Sequence, residues 1–163
     1  MAAALPWPPH AELLDKVLAV ACAAARKAGD RMLASIGTAS AAVEKTKANK
    51  QDLVTAVDKA CQEDIEACVR DAFGPAGEGG HQFLGEESVA AGSDASATAL
   101  ADLVGSEWLW VVDPIDGTTN FVHGVPLSVV SIGVAHRGRL AVGVILDPYR
   151  SELFAAVTGR GTT

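Results

Sequence analysis

The amino-acid sequence predicts an α+β fold in which two helices pack on a mainly antiparallel sheet. Apolar residues recur at helical spacing over 11–36 and again up to about Phe73, and from Gln82 onward the chain is a run of short β-rich segments joined by Gly, Pro and Asp turns. Helices followed by strands, without the alternation that builds a parallel sheet, is the order of an α+β layer. The scale agrees: 163 residues, 49% apolar and 20% charged, can bury a core without disulfide or metal staples.

Each element has a local reason. In the first helix Leu14, Val17, Leu18, Ala21, Ala25, Ala28 and Met32 fall near one face, the charges lie mostly elsewhere, and Gly37 is the expected stop. Val43 to Lys50 is polar and basic and is expected as a short strand running into a turn at Asn49. Thr55 and Asp58 have capping-box spacing, with Asp in place of Glu. A second helix is therefore expected from there to about Phe73, on an apolar stripe of Val57, Cys61, Ile65, Cys68 and Ala72, ended by Gly74-Pro75. Residues 1–10 are Pro-rich and expected to be a flexible lead-in, leaving 11–163 as the folded unit.

The strands follow. Gln82-Phe83-Leu84 leads into Gly85-Glu86-Glu87-Ser88, and residues 89–106, rich in Ala, Ser, Asp and Gly without a period, are expected as a mobile loop with a short helical turn. Glu107 to Val112 is a strand, and Leu127 to Ala135 is another. The turn His136-Arg137-Gly138-Arg139 links the latter to a returning strand, Leu140 to Leu146. Asp147-Pro148 turns the chain again into Glu152 to Val157. No internal repeat is present.

Composition bounds the partners. Thirteen basic against twenty acidic residues give a net charge of −7, which argues against non-specific nucleic-acid binding. The apolar run Val17 to Ala25 is about half of what a bilayer span needs. The first residues lack the basic region of a secretory leader. Three cysteines, Cys22, Cys61 and Cys68, with no CxxC spacing form neither a disulfide framework nor a zinc site. The expectation is a cytoplasmic protein with no nucleic-acid or membrane partner.

The chemistry-bearing stretch is Trp110-Val-Val-Asp113-Pro-Ile-Asp116-Gly117-Thr118-Thr119-Asn120-Phe121. An apolar strand ends in a carboxylate, and a rigid Pro turn brings in a second. Two carboxylates three residues apart at a turn can share a divalent cation. The Gly-Thr-Thr that follows reads as a helix start, where free backbone N–H groups favour a phosphate oxygen. A strand followed by an ordinary Asp/Pro/Gly turn, with Asp116 or Thr118 as a cap, accounts for the same residues. The spacing does not fit an EF-hand. Glu86-Glu87 is a second acidic pair, in which like charges repel unless solvated or bound to a cation. Asp58 is a third carboxylate, read locally as a cap. Together Glu86, Asp113, Asp116 and Asp58 offer the oxygen donors that Mg²⁺ prefers.

The stretch Trp110 to Gly124, WVVDPIDGTTNFVHG, resembles the signature of the inositol monophosphatase family. Asp52-Leu-Val-Thr55-Ala-Val-Asp58, Gly85-Glu86-Glu87-Ser88, Val130-Ser131-Ile132-Gly133 and Gly159-Arg-Gly161 match it in order, so the resemblance covers nearly all of 11–161. It implies the N-terminal part of the αβαβα sandwich of sugar phosphatases, without the C-terminal domain. It also implies a Mg²⁺-dependent, lithium-sensitive phosphomonoesterase, with two or three ions in the complete family site. By that resemblance Glu86, Asp113 and the Ile115 carbonyl hold the first metal, and Asp113 bridges to a second that Asp116 also binds. Asp58 and Thr118 form the dyad that deprotonates the attacking water. Glu86, Gly117, Thr118 and Thr119 meet the substrate phosphate. Lys47 stands near an outer metal and Glu87 behind the first.

One departure bears on activity. The family carries a further metal carboxylate in a Trp-Asp motif, whereas Trp7, Trp108 and Trp110 are followed here by Pro, Leu and Val. The second metal is therefore expected to lack a ligand, with one ion retained, slow or no turnover, and one sheet face left bare. The expected partner is a small-molecule phosphate monoester, with a homodimer or pairing with a full-length subunit as the expected assembly. A truncated form acting only by metal binding or subunit pairing is one alternative, and a bisphosphate nucleotidase or fructose-bisphosphatase is the other. The Ile of Asp-Pro-Ile-Asp and the Asn120-Phe-Val-His-Gly124 continuation favour the inositol branch.

Overall fold

The computed structural model describes residues 7–45, 50–75, 80–88, 93–103 and 105–163. Helix α1 spans Ala11–Lys45 and α2 spans Lys50–Phe73. Strand β1, His81–Gly85, runs into a 3-10 turn at Glu86–Ser88, and α3 covers Ser93–Leu103. Then come β2 (Trp108–Asp116), the short helix α4 (Thr118–Val122), β3 (Val129–His136), β4 (Arg139–Asp147), β5 (Glu152–Val157) and β6 (Gly161–Thr162). The sheet order is β1-β2-β3-β4-β5-β6. β1 and β2 are parallel and every other pair is antiparallel, so the α+β expectation holds.

Both long helices lie on one face of the sheet. Their buried stripe (Leu14, Val17, Ala21, Ala24, Ala25, Ala28 and Met32 from α1; Cys61, Ile65 and Val69 from α2) meets Trp108, Trp110, Val130, Ile132, Val134, Val142 and Val144. Each Val, Leu, Ile or Met side chain among these contributes about 1.5–3 kcal/mol by leaving water, and each Ala less. Small residues let α1 come close: a Cβ at Gly29 would sit 2.6 Å from Leu146 Cδ2. Asp64 of α2 pairs with Arg31 and, at 3.2 Å, with Lys27 of α1, and the Arg31 hydrogen bond in particular holds its carboxyl below the usual range. Gly74 closes α2 at φ 90°, its N–H donating to the Arg70 carbonyl at 2.8 Å.

Several local expectations are corrected. α1 runs through Gly37 to Lys45, because one glycine costs only about 1 kcal/mol in a helix and the Ala-rich residues after it are good formers. Val43 to Lys45 are helical rather than extended, and Asn49 lies outside the described residues. α2 starts at Lys50, so Thr55 and Asp58 lie inside the helix and form no cap. The expected loop at 89–106 contains an eleven-residue helix, α3. Parallel strands cannot be joined by a tight turn, and α3 is the crossover from β1 to β2. Trp7, expected in the flexible lead-in, packs on the sheet, with its ring 6.0 Å from that of His136 and Arg139 4.3 Å over it. Residues 1–6 lie outside the described part.

Candidate functional site

β2 continues four residues past the expected end at Val112, and it does so irregularly. Asp113 pairs with Ser131 and Asp116 with Val129, with a register break between them at Pro114-Ile115. Pro has no N–H to give the ladder, so the strand bulges there, and a bulge re-aims the side chains on either side of it. Pro114 and Ile115 are buried and anchor the bulge, while Asp116 is exposed. The Ile115 N–H donates to Asp113 Oδ1 at 3.2 Å, which fixes that carboxylate against its own backbone.

Gly117 makes the next turn possible. It is left-handed (φ 90°, ψ 36°), and a Cβ there would stand 2.8 Å from the Leu127 carbonyl oxygen. Asn120 Nδ2 donates to the same carbonyl at 2.7 Å, so the 123–128 loop is tied over the turn. Thr118 opens α4, and its hydroxyl donates to the Ile115 carbonyl at 3.0 Å. That carbonyl is the one the family resemblance assigns to a metal, and a carbonyl oxygen carries a second lone pair besides the one the hydroxyl uses. Thr119 is exposed on the outer side of the turn.

Glu86 begins the 3-10 turn after β1, and the parallel pairing of β1 with β2 (Gly85 opposite Val112) brings it beside Asp113. Burial pushes the Asp113 carboxyl up to about 7, and the negative charge and hydrogen bond of Glu86, then the charge of Asp116, add to that. Three carboxylates thus crowd one strand end, and an anion buried among anions is relieved by a proton or a cation. Glu86, Asp113 and Asp116 therefore fit a hard cation by charge and donor chemistry. Among the described residues, however, no three carboxylate, imidazole or thiol groups converge tightly enough to enclose an ion by themselves.

Asp58 lies on the buried face of α2, only 3% exposed, and α2 packs against α4, the helix that Thr118 opens. The expected partners are thus on touching elements, although the Thr118 hydroxyl proton is engaged by Ile115. Lys47 lies outside the described residues, and the same holds for the side chain of Glu87.

Gln62 is a residue the sequence reading did not single out. Its Nε2 donates to Ser88 Oγ at 2.7 Å and to Glu66 Oε1 at 3.0 Å, and it fills the space a Cβ at Gly85 would need. It therefore fastens the turn carrying Glu86 to the helix carrying Asp58. A signal existed: Asp58 and Gln62 are four apart, two polar residues on a helix face that is otherwise apolar. Cys61 between them is inert, its thiol pushed up to about 12 by burial and by Asp58. Cys22 and Cys68 are half-buried free thiols. No helix among the described residues is long and apolar enough to cross a membrane.

Comparison with known proteins bears on the family and the fold. The model of the inositol monophosphatase family matches residues 13–163. Over 148 residues, 91% of the chain, it is 38% identical to a Pseudomonas aeruginosa protein named Nus factor SuhB and 40% identical to inositol monophosphatase 1 of Solanum lycopersicum, covering 49% of each. An inositol monophosphatase structure from Anabaena (Nostoc) superposes with a TM-score of 0.67 at 32% identity, covering 93% of this chain and 46% of that one. The chain spans about half the length of the curated relatives it matches.

Proposed function

Because the chain belongs to the inositol monophosphatase family, we propose that it carries the metal- and phosphate-binding half of a Mg²⁺-dependent, lithium-sensitive phosphomonoesterase acting on inositol monophosphate or a related sugar phosphate, in the cytoplasm. The observation that carries this reading is the crowding of Asp113 by Glu86 and Asp116 at the end of β2. A structural turn has no need of a half-buried carboxylate held among others, while a cation site does.

In this reading Glu86, Asp113 and the Ile115 carbonyl would hold one Mg²⁺, and Asp113 with Asp116 would hold another. Bound Mg²⁺ neutralises the dianionic ester, lowers the pKa of water and stabilises the leaving alkoxide. The protein's own part is to position and to move a proton. Thr118, held by its bond to Ile115, orients a water for in-line attack on phosphorus. Asp58, buried on the helix packed against α4, receives the Thr118 hydroxyl proton once it turns away from the Ile115 carbonyl, while the hydroxyl oxygen takes the proton of the water. The backbone N–H groups of Gly117 and Thr118, with Thr119 beside them, donate to the phosphate oxygens. Glu87 supports Glu86 from behind, and Lys47 supplies positive charge near the outer metal.

The test is phosphate release from inositol 1-phosphate with Mg²⁺, for the chain and for Asp113→Asn. The expected result is slow, lithium-inhibited release that the substitution abolishes. Release that is indifferent to Mg²⁺ and to the substitution would overturn the reading. A panel with a nucleoside bisphosphate and fructose 1,6-bisphosphate separates the inositol branch from the other two substrate classes. The near-equal identity to a Nus factor and to a phosphatase supports a second reading, in which the chain binds a partner without turnover. Mg²⁺ binding by calorimetry with no release from any substrate of the panel is the outcome that favours it.

A further inference from the structure

Two hydroxyls meet beside the Gly117 turn without belonging to it. Ser128 is buried, 2% exposed, and its Oγ lies 2.6 Å from the Tyr149 hydroxyl oxygen, a short hydrogen bond. Ser128 stands just before Val129, the residue that pairs with Asp116 across β2 and β3. Its main chain also closes on the turn. A Cβ built on Gly117 would meet Ser128 Cα at 3.3 Å and Ser128 Cβ at 3.4 Å, besides the Leu127 carbonyl oxygen. Leu127-Ser128 is therefore the wall against which Gly117 rests. Asn120 of α4 ties that wall through the Leu127 carbonyl, and Tyr149 ties it from the turn between β4 and β5.

Tyr149 is itself held in place. Asp147 Oδ1 accepts the Tyr149 N–H at 2.9 Å and the Arg150 N–H at 3.1 Å, and Asp147 Oδ2 accepts Arg150 Nη1 at 2.6 Å. An aspartate bonded to the backbone two and three residues on is the chemistry of a fixed turn. Pro148 is buried, and its Cβ would lie 3.2 Å from a Cβ on Gly29, so the same turn is seated on α1. The Ser128–Tyr149 bond is not needed to close the sheet. Ser128 precedes β3, Tyr149 follows β4, and the β4–β5 ladder closes at Asp147 and Glu152 without them. What the bond does join is a turn anchored on α1 to the wall of the Gly117 turn.

We propose that Tyr149 is a positioning residue for the Gly117 turn: through Ser128 it presses the Leu127-Ser128 wall against Gly117 and keeps the turn's backbone N–H groups in place. That those groups hold a phosphate rests on the proposed function, whereas the bracing of the turn does not.

Hydrogen exchange at single amides, with Tyr149→Phe and Ser128→Ala as variants, tests it. Tyr149→Phe keeps the ring and removes only the hydroxyl. The Asn120 and Phe121 N–H groups both donate to the Gly117 carbonyl, at 2.9 and 3.1 Å, and report opening of the turn. Those of Val142 and Val144 in β4 report on the sheet. The expected result in either variant is exchange about threefold to tenfold faster at Asn120 and Phe121, unchanged at Val142 and Val144, with no further gain when the two substitutions are combined. Calorimetry gives the second readout. Inorganic phosphate added with Mg²⁺ should bind Tyr149→Phe more weakly by about the same factor, while Mg²⁺ alone binds both chains equally. Exchange that rises equally in turn and sheet would make Tyr149 a general stabiliser and overturn the proposal. Unchanged exchange at Asn120 and Phe121 would do the same, and so would a measurable phosphate affinity that stays constant while the turn loosens. An unaltered chain that binds no phosphate, with its turn still loosened by Tyr149→Phe, supports the brace and counts against the proposed function instead.

Discussion

At the Trp108 end of β2, His81 stacks on Phe73 at 4.0 Å and on Trp108 at 5.6 Å, and its Nδ1 accepts the Trp110 indole N–H at 3.0 Å. Burial pushes its pKa down to about 4, so it is neutral and its ring is satisfied. Nearby His136 is also lowered by burial, with Glu107 3.7 Å from its Nε2. At the other end of the strand, burial pushes Asp113 up to about 7, and its neighbours are further carboxylates. The same desolvation acts on both groups. One end has settled it by surrounding a neutral ring with aromatic partners, and the other holds like charges together. The first arrangement stabilises the fold, and the second costs stability unless a proton or a cation relieves it.

Replacing Asp113 breaks that contrast most strongly. Asp113→Asn removes the carboxylate that the proposed function assigns to the metals and should lower any Mg²⁺-dependent phosphate release about a hundredfold or more, since metal stabilisation of the transition state is worth several kcal/mol. The same change should raise the thermal midpoint of the metal-free chain. The sign follows from the raised pKa: the unfolded carboxyl loses its proton near 3.8 and the folded one near 7, so stability falls as pH rises through that window. Unfolding curves in chelator at pH 5 and pH 8 should show the variant gaining at the higher pH. Equal midpoints for both proteins at pH 8 would contradict the account.

The opposite end gives the opposite slope. His81 titrates near 6.5 when unfolded and about 4 when folded, so stability is full above 6.5 and lost as pH falls toward 4. The loss amounts to about 3 kcal/mol at most. Denaturant midpoints of His81→Phe, compared with the unaltered chain across that window, should show a reduced slope. A smaller effect is expected at the turn. Gly117→Ala forces a Cβ into a left-handed residue against the Leu127 carbonyl, costing about 1–3 kcal/mol of stability. Urea unfolding measures this. The smallest change is Gln62→Ala, which removes the bond to Ser88 and costs about 1 kcal/mol. Its more telling readout is Mg²⁺ affinity by calorimetry, which should weaken because the Glu86 turn is no longer fastened to α2.

Much of the architecture was legible in the sequence for a simple reason: the signals were local. The apolar stripe from Leu14 to Met32 has a helical period, Gly138 marks a hairpin, and Asp113-Pro-Ile-Asp116-Gly117 carries its turn chemistry in adjacent residues. The missed boundaries are those where local signals were weak or misleading. Gly37 looked like a stop and is carried through by its neighbours, and Thr55/Asp58 looked like a cap and are interior to α2. α3 left no period to read, because its role as a crossover is set by the pairing of β1 with β2.

By itself the sequence determined the order of elements, the acidic balance and the residue types gathered in the Asp113–Thr119 segment. Tertiary structure alone decided that Glu86 stands beside Asp113, since their adjacency depends on a parallel pairing across more than twenty intervening residues. It also decided that Gln62 ties that turn to α2, and that Tyr149 meets Ser128 beside the Gly117 turn. The physical reason is common to all three. Side-chain chemistry is written residue by residue, whereas register and burial exist only once distant strands and helices have paired, and it is burial that turns an ordinary aspartate into one poised near neutrality.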